Sequence, residues 1–305
     1  VLSRAASASS GLGPLELALL DAVDLLGADA GGDPVACSDV LDVVDRRDAL
    51  GGRYAWQALV DLGVPWRVHL PLVELAGNCG TQLGDAPADP EFVEVRLSPF
   101  GALVLAAERG ELGPVPVGLI EGSLYRGGKV PPFDPGAVVG ALLAGEEHAG
   151  LPVMPTGGTV GGDVVGLLAG RPVQLTLGCT FVAEAGRLVI TEIPLGVDGS
   201  RIVEAIGSAT LTSSIDRHGD TRVVRSPGCP VDDVVDETTM RDGLRIVVQP
   251  AKGSDLRYTV EWLRALWPVT VGVDCRLPAA QPDRLAGWDR GDGSGLRALA
   301  DLLRL

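Results

Sequence analysis

Apolar positions recur at helical spacing from Leu15 to Leu26, which predicts a helix there. Ser38 suits an N-cap, and the periodic stretch behind it predicts a second helix over Asp39 to Arg47. Asp48 to Gly52 reads as a turn with two glycines, and Arg53 to Leu62 as a third helix stopped by Gly63 and Pro65. Helix, glycine turn, helix is helix-turn-helix grammar, a pattern shared by many helical hairpins. Glu91 to Leu97 is a short apolar-alternating run, and Val138 to Leu143 reads as a helix. Past Met154 the period shifts to two. Val173 to Ala183 alternates as a strand, Glu184 to Gly186 makes a turn, and Arg187 to Ile193 returns. Leu244 to Val248 reads as a further strand. Trp262 to Asp274 is an apolar run, and Leu296 to Leu305 is a short amphipathic helix. Runs of helices followed by strands predict an α+β protein without internal repeats.

Length and apolar content allow one large or two medium domains with real cores, since 305 residues are 46% hydrophobic. Charge changes the picture more. The net charge of −15 repels phosphate backbones, whereas a DNA binder normally shows a basic footprint. Lysine occurs only at Lys129 and Lys252, so arginine carries nearly all positive charge. The five cysteines (Cys37, Cys79, Cys179, Cys229 and Cys275) are scattered, with no CxxC spacing, so reduced buried thiols are expected rather than a disulfide framework or a zinc site. No signal peptide and no membrane-spanning run is visible, so a cytoplasmic protein is expected. The first residue is Val1, which fits a sequence that starts inside a longer protein.

The stretch Gly77-Asn78-Cys79-Gly80, followed by Glu91-Phe92-Val93-Glu94-Val95-Arg96-Leu97, resembles the segment of the type IIA topoisomerase A-subunit family (DNA gyrase and topoisomerase IV) that carries the DNA-cleaving tyrosine. In that family the loop reads Gly-Asn-Phe-Gly and the run Arg-Tyr-Thr-Glu-x-Arg-Leu, aligned without a gap. Phe92 thus stands at the tyrosine position and Glu91 at the preceding arginine. Other landmarks follow in order: Ser3-Arg4-Ala5, Gly11-Leu12-Gly13-Pro14, Glu121-Gly122-Ser123, Pro131-Pro132, Pro155-Thr156-Gly157-Gly158, Glu192-Ile193-Pro194, and Asp236-Glu237 with Arg241-Asp242-Gly243-Leu244-Arg245-Ile246. The resemblance implies a winged-helix domain over 1–110, a tower-like α/β domain over 111–250, and a helical remnant over 251–305 lacking the family's coiled coil and its distal dimer contact. The family's basic residues after Gly11 are replaced, and so are the two histidines at the turn Arg47 to Gly52. Phosphate contacts supply most non-specific affinity, so weak or absent nucleic-acid binding is expected.

Cleavage in the family needs a phenolic oxygen and cationic stabilisation of a pentavalent transition state, the latter worth ~3–4 kcal/mol per donor. Phe92 has no oxygen, and Glu91 brings the wrong sign of charge. Tyr125, beside Arg126, is the one candidate substitute. No cofactor is implied, and the family's metal-binding carboxylates sit on a separate polypeptide. Two readings stay open. One is a catalytically dead, non-cleaving binding or regulatory protein that forms a homodimer or pairs with gyrase subunits. The other is a repurposed enzyme with a small-molecule ligand, in which Glu91, Glu94 and Glu121 converge with Arg53, Arg96 and Arg126. The plainer reading makes Glu94 and Arg96 structural ion pairs, Phe92 core or pocket lining, and His69, His148 and His218 loop histidines. Asp39, Asp42 and Asp45 point to surface ion pairs with Arg46, Arg47 and Arg53 rather than DNA contact. Asp232, Asp233, Asp236 and Glu237 read as a solvated face rather than a metal site.

Overall fold

In the computed structural model, residues 11–48, 53–146, 149–215, 218, 221–239, 243–277 and 291–304 are described. Ser3-Arg4-Ala5, Ala49 to Gly52 of the glycine turn, His148 and Arg241-Asp242 lie outside them.

The chain begins with α1 (Pro14–Leu25), the two-residue strand β1 (Val35–Ala36), α2 (Cys37–Asp48) and α3 (Arg53–Asp61). Next come β2 (Val73–Ala76), a 3₁₀ turn over Pro90–Phe92, β3 (Glu94–Leu97) and α4 (Pro99–Glu108). After the short α5 (Val117–Ile120) and a 3₁₀ turn over Leu124–Arg126, α6 (Pro135–Ala144) closes the first part. The strands pair antiparallel in the order β1-β3-β2, with Glu74 opposite Arg96 and both Ala36 and Ala76 opposite Glu94. Val93, Val95 and Leu97 face inward onto Leu19, Leu20 and Val23 of α1, Val40 and Val44 of α2, and Val104 of α4.

Local chemistry sets the helix ends. The Ser98 hydroxyl accepts the Gly101 N–H at 2.9 Å and donates to Pro71 O, and Pro99 opens α4 without a wasted donor. Asp134 caps α6 through the Ala137 N–H at 2.8 Å, and Gly145 ends it in the left-handed region. Gly101 is a packing glycine, because a Cβ there would lie 1.9 Å from Leu72 O.

The second part opens with β4 (Thr159–Gly162), α7 (Val164–Leu168), β5 (Val173–Gly178), β6 (Thr180–Glu184) and β7 (Arg187–Glu192). It continues with α8 (Gly199–Thr210), β8 (Leu211–Ile215), β9 (Thr221–Arg225), β10 (Val231–Asp236) and β11 (Ile246–Pro250). It ends with α9 (Leu256–Arg264), β12 (Thr270–Cys275) and α10 (Ser294–Leu303). Its sheets run β12-β5-β4, β10-β11-β7-β6 and the hairpin β8-β9, all antiparallel. The architecture is α+β.

Several predicted boundaries shift. Helix α2 begins at Cys37, so Ser38 lies inside it rather than capping it. The run from Val173 to Ala183 breaks at buried Cys179 into two strands of different sheets. The strand predicted over Leu244 to Val248 starts two residues later and runs on to Pro250. Trp262 to Asp274 divides between the end of α9 and β12. The predicted helices over Leu15 to Leu26, Arg53 to Leu62 and Leu296 to Leu305 appear as α1, α3 and α10. The largest core cluster runs from Leu12 to Ala149 and takes in Leu296, Leu299 and Ala300, while a second spans Cys179 to Val269.

Candidate functional site

The tip that carries Phe92 is built by a reversal of side-chain direction. Pro90 opens the 3₁₀ turn, and the Phe92 N–H closes it on Asp89 O at 2.9 Å. Val93 then enters the core, its carbonyl accepting the Cys37 N–H at 2.9 Å. Gly77, at φ +129°, allows the loop to press against this point, since a Cβ there would lie 2.8 Å from Phe92 O. Neighbours on either side of Val93 must face the other way. Phe92 is accordingly 67% exposed, and Glu91 and Glu94 are exposed with it. This corrects the expectation that Phe92 lines the core or a pocket, because the inward position belongs to Val93.

Arg96 reaches across the sheet. Its Nε and Nη2 donate to Glu74 at 2.7 and 2.6 Å, and its Nη1 donates to Gly32 O at 3.0 Å. The ion pair expected of Arg96 is thus made with Glu74, its cross-strand partner. Glu94 forms no ion pair among the described residues, flanked as it is by two alanines. On α2, Arg46 pairs with Asp42 at 3.2 Å, while Asp39 and Asp45 are exposed.

The Gly77 to Gly80 loop is held by Asn78, whose side chain accepts the Gly80 N–H at 3.0 Å and whose carbonyl accepts the Ala88 N–H at 2.9 Å. Beyond it, Gln82 O and Leu83 O accept the N–H groups of Gly199 and Ser200, the first residues of α8, each at 3.0 Å. Leu83 packs against the second core. The Asp198 side chain does not cap α8, and the loop's carbonyls fill that place.

Glu121 sits in a different setting, only 2% exposed just past α5. Its two oxygens accept the N–H groups of His69 at 2.7 Å and Leu70 at 2.9 Å. Burial pushes its carboxyl up to about 7, against the pull of those hydrogen bonds and the Arg126 charge. The His69 ring meets Val153 O at 2.9 Å, and burial lowers its pKa. Arg126 donates to Glu16 of α1 at 2.8 Å and to Gly122 O at 2.9 Å. Asp61, raised by burial, faces Arg67 at 3.6 Å. Arg53 starts α3 and Tyr125 lies in the second 3₁₀ turn, with both side chains outside the described residues. The candidate residues therefore divide between an exposed tip (Glu91, Phe92, Glu94 and Arg96) and a buried clamp (Glu121 with Arg126).

Two sequence landmarks meet in space. The Glu192 carboxylate accepts the Gly158 N–H at 2.8 Å and the Thr180 hydroxyl at 2.6 Å, and a Cβ on Gly157 would lie 2.5 Å from it. Arg245 forks onto Glu184 at 3.0 and 2.7 Å and onto Glu237 at 3.1 Å, joining the β6-β7 turn to the end of β10. The sequence signalled Arg245 and Glu237 but not Glu184, a turn residue until β6 and β7 fold back. Asp232 pairs with Arg225, and Asp233, Asp236 and Glu237 are exposed. Among the described residues, no group of three or more His, Cys, Asp and Glu side chains is placed to hold a metal ion.

No model of a known protein family matches the chain. Among curated proteins, it is 27% identical over 284 residues to the DNA gyrase A protein of Lawsonia intracellularis, covering 80% of this chain and 33% of that protein. It is 25% identical over 312 residues to the DNA gyrase A protein of Treponema pallidum, covering 88% and 37%. It is 24% identical over 269 residues to the DNA topoisomerase 4 A protein of Bacillus subtilis, covering 75% and 32%. The resemblance to the type IIA A-subunit family thus holds over most of the sequence, and the chain spans about a third of the length of these relatives.

Proposed function

We propose that this relative of the A subunits of DNA gyrase and topoisomerase IV is a non-cleaving protein with a binding or regulatory role. The observation that carries this reading is Phe92. It occupies the family's tyrosine position at an exposed tip, with the exposed carboxylate of Glu91 where the family has arginine. The benzyl ring offers no nucleophile, and a carboxylate beside it opposes negative charge that develops on phosphorus.

In this reading residues 1–110 form a winged-helix domain, 111–250 a tower-like domain and 251–305 a helical remnant. The pair α2 and α3 beside the antiparallel sheet β1-β3-β2 supports the first assignment. Self-association or pairing with gyrase subunits is the expected mode of action. Among the described residues, the alternative of a small-molecule enzyme has no gathered site to support it, because Glu91 and Glu94 are exposed while Glu121 is buried in a backbone clamp. No helix among the described residues is long and apolar enough to cross a membrane.

The test is cleavage of supercoiled plasmid by purified protein with the gyrase ATPase component, and in parallel pull-down against the host gyrase proteins. The expected result is no covalent adduct and enrichment of at least one gyrase protein. Covalent protein–DNA adducts would refute the loss of cleavage. Failure both to enrich a gyrase protein and to self-associate would refute the binding role.

A further inference from the structure

Two arginines on the second part of the molecule lie over aromatic rings. Arg201, exposed in the first turn of α8, places its guanidinium carbon 5.0 Å from the centroid of the Trp267 ring. Arg264, exposed at the end of α9, lies 5.9 Å from the centroid of Phe181 on β6. Trp267 follows Arg264 by three residues, so the two pairs are neighbours along the chain just past α9. The indole is 65% exposed, large for a residue that usually buries most of its surface. Among the described residues neither Arg201 nor Arg264 forms an ion pair, whereas Arg96, Arg109, Arg126 and Arg245 are each held by carboxylates. The chain has a net charge of −15 and 4% aromatic residues, and here two guanidiniums without a carboxylate partner lie beside an open indole.

We propose that this patch binds single-stranded nucleic acid, with a base laid on the open side of Trp267 and the flanking phosphates met by Arg201 and Arg264. Stacking on aromatic faces combined with nearby cations is the chemistry by which single strands are held without sequence readout. An acidic peptide would use the two guanidiniums but has no planar ring to cover the indole. A duplex keeps its bases stacked inside and presents none to Trp267. Glu204 lies one turn from Arg201 and Glu261 one turn from Arg264, so binding is weak and salt-sensitive. More distant acidic surface is screened beyond about 8 Å at physiological salt but far less at low salt, so the salt series runs up to physiological strength. The inference is independent of the loss of cleavage at Phe92.

The test is fluorescence anisotropy of labelled oligothymidylate and oligouridylate of about 15 nucleotides, long enough to span such a site, at low salt. A duplex of equal length and polyglutamate of equal charge serve as competitors. The wild-type chain is expected to bind one or both single strands more tightly than the duplex. Trp267→Ala should weaken binding about tenfold, while Trp267→Phe, which keeps a stacking ring, should largely retain it. Arg201→Gln with Arg264→Gln should flatten the log–log salt dependence by about 1.4, the value for two lost phosphate contacts on a single strand. All three side chains are exposed or partly so, and unchanged circular dichroism and melting would show that the variants fold. The proposal is overturned if no single strand binds at low salt, if Trp267→Ala binds as the wild type does, or if duplex or polyglutamate competes as well as the oligonucleotide.

Discussion

Glu121 makes the stability of this fold depend on pH in a direction opposite to that of most carboxylates. Burial moves its carboxyl from an ordinary 4.5 to about 7. The native state therefore binds a proton that the unfolded chain has already released between those values. Stability contributed by this group is full below the unfolded value and falls as pH rises through the folded one. The span of about 2.5 pH units corresponds to roughly 3 kcal/mol, a large share of the ~5–15 kcal/mol that holds a domain together. Glu121→Gln removes the titration. It leaves one carbonyl oxygen for either the His69 or the Leu70 N–H and turns an amide toward the other, a pH-independent offset of about 1–3 kcal/mol. The lowered pKa of His69 acts in the opposite sense, its contribution being lost as pH falls, but it is common to both proteins and cancels in their difference. Urea unfolding at several pH values between about 4.5 and about 8 provides the assay. The wild-type stability minus that of Glu121→Gln should fall by roughly 3 kcal/mol across the window. A flat difference, or one that rises with pH, would refute the reasoning and mean that the clamp holds a fully ionised carboxylate at no cost.

Other outcomes follow from the same geometry. Phe92→Tyr restores an oxygen but leaves Glu91 in place of the family's arginine, so no covalent adduct with plasmid DNA is expected on denaturing gels; an adduct would show that the tyrosine was the only missing part. Gly101→Ala places a methyl carbon 1.9 Å from Leu72 O and should destabilise the fold by about 2 kcal/mol or more, read as a drop in the urea midpoint. Burial pushes Cys37 and Cys179 up to about 12, so Cys79, partly exposed in its loop, should be the first of the five thiols to react with a thiol reagent in the native protein. Simultaneous reaction of several cysteines under native conditions would contradict that order.

The helices with one apolar stripe are legible in the sequence because period and burial coincide. α1, α3 and α10 appear where Leu15 to Leu26, Arg53 to Leu62 and Leu296 to Leu305 place them. α4 leaves no such signal, since Pro99-Phe100-Gly101-Ala102-Leu103 is apolar nearly all round and shows no stripe. The long alternation from Val173 to Ala183 conceals a change of sheet, because a period of two is the same on both sides of Cys179. At the candidate site, the resemblance gives Phe92 a place in the order of residues but none in space. Alternation alone puts either Phe92 or Val93 inside, and only the Asp89 turn and the approach of Gly77 decide for Val93. The clamp on His69 and Leu70 is invisible for a different reason, since it joins a carboxylate to backbone groups about fifty residues away, and backbone donors leave no mark on sequence.

Gln82 and Leu83 give the start of α8 its missing acceptors, and this makes the loop behind Gly80 a mechanical strut. Moving this loop away from α8 would have to break two main-chain bonds, worth about 1 kcal/mol apiece, and pull Leu83 out of the second core. Anything that grips the loop behind the Phe92 tip therefore tugs on the start of α8 as well.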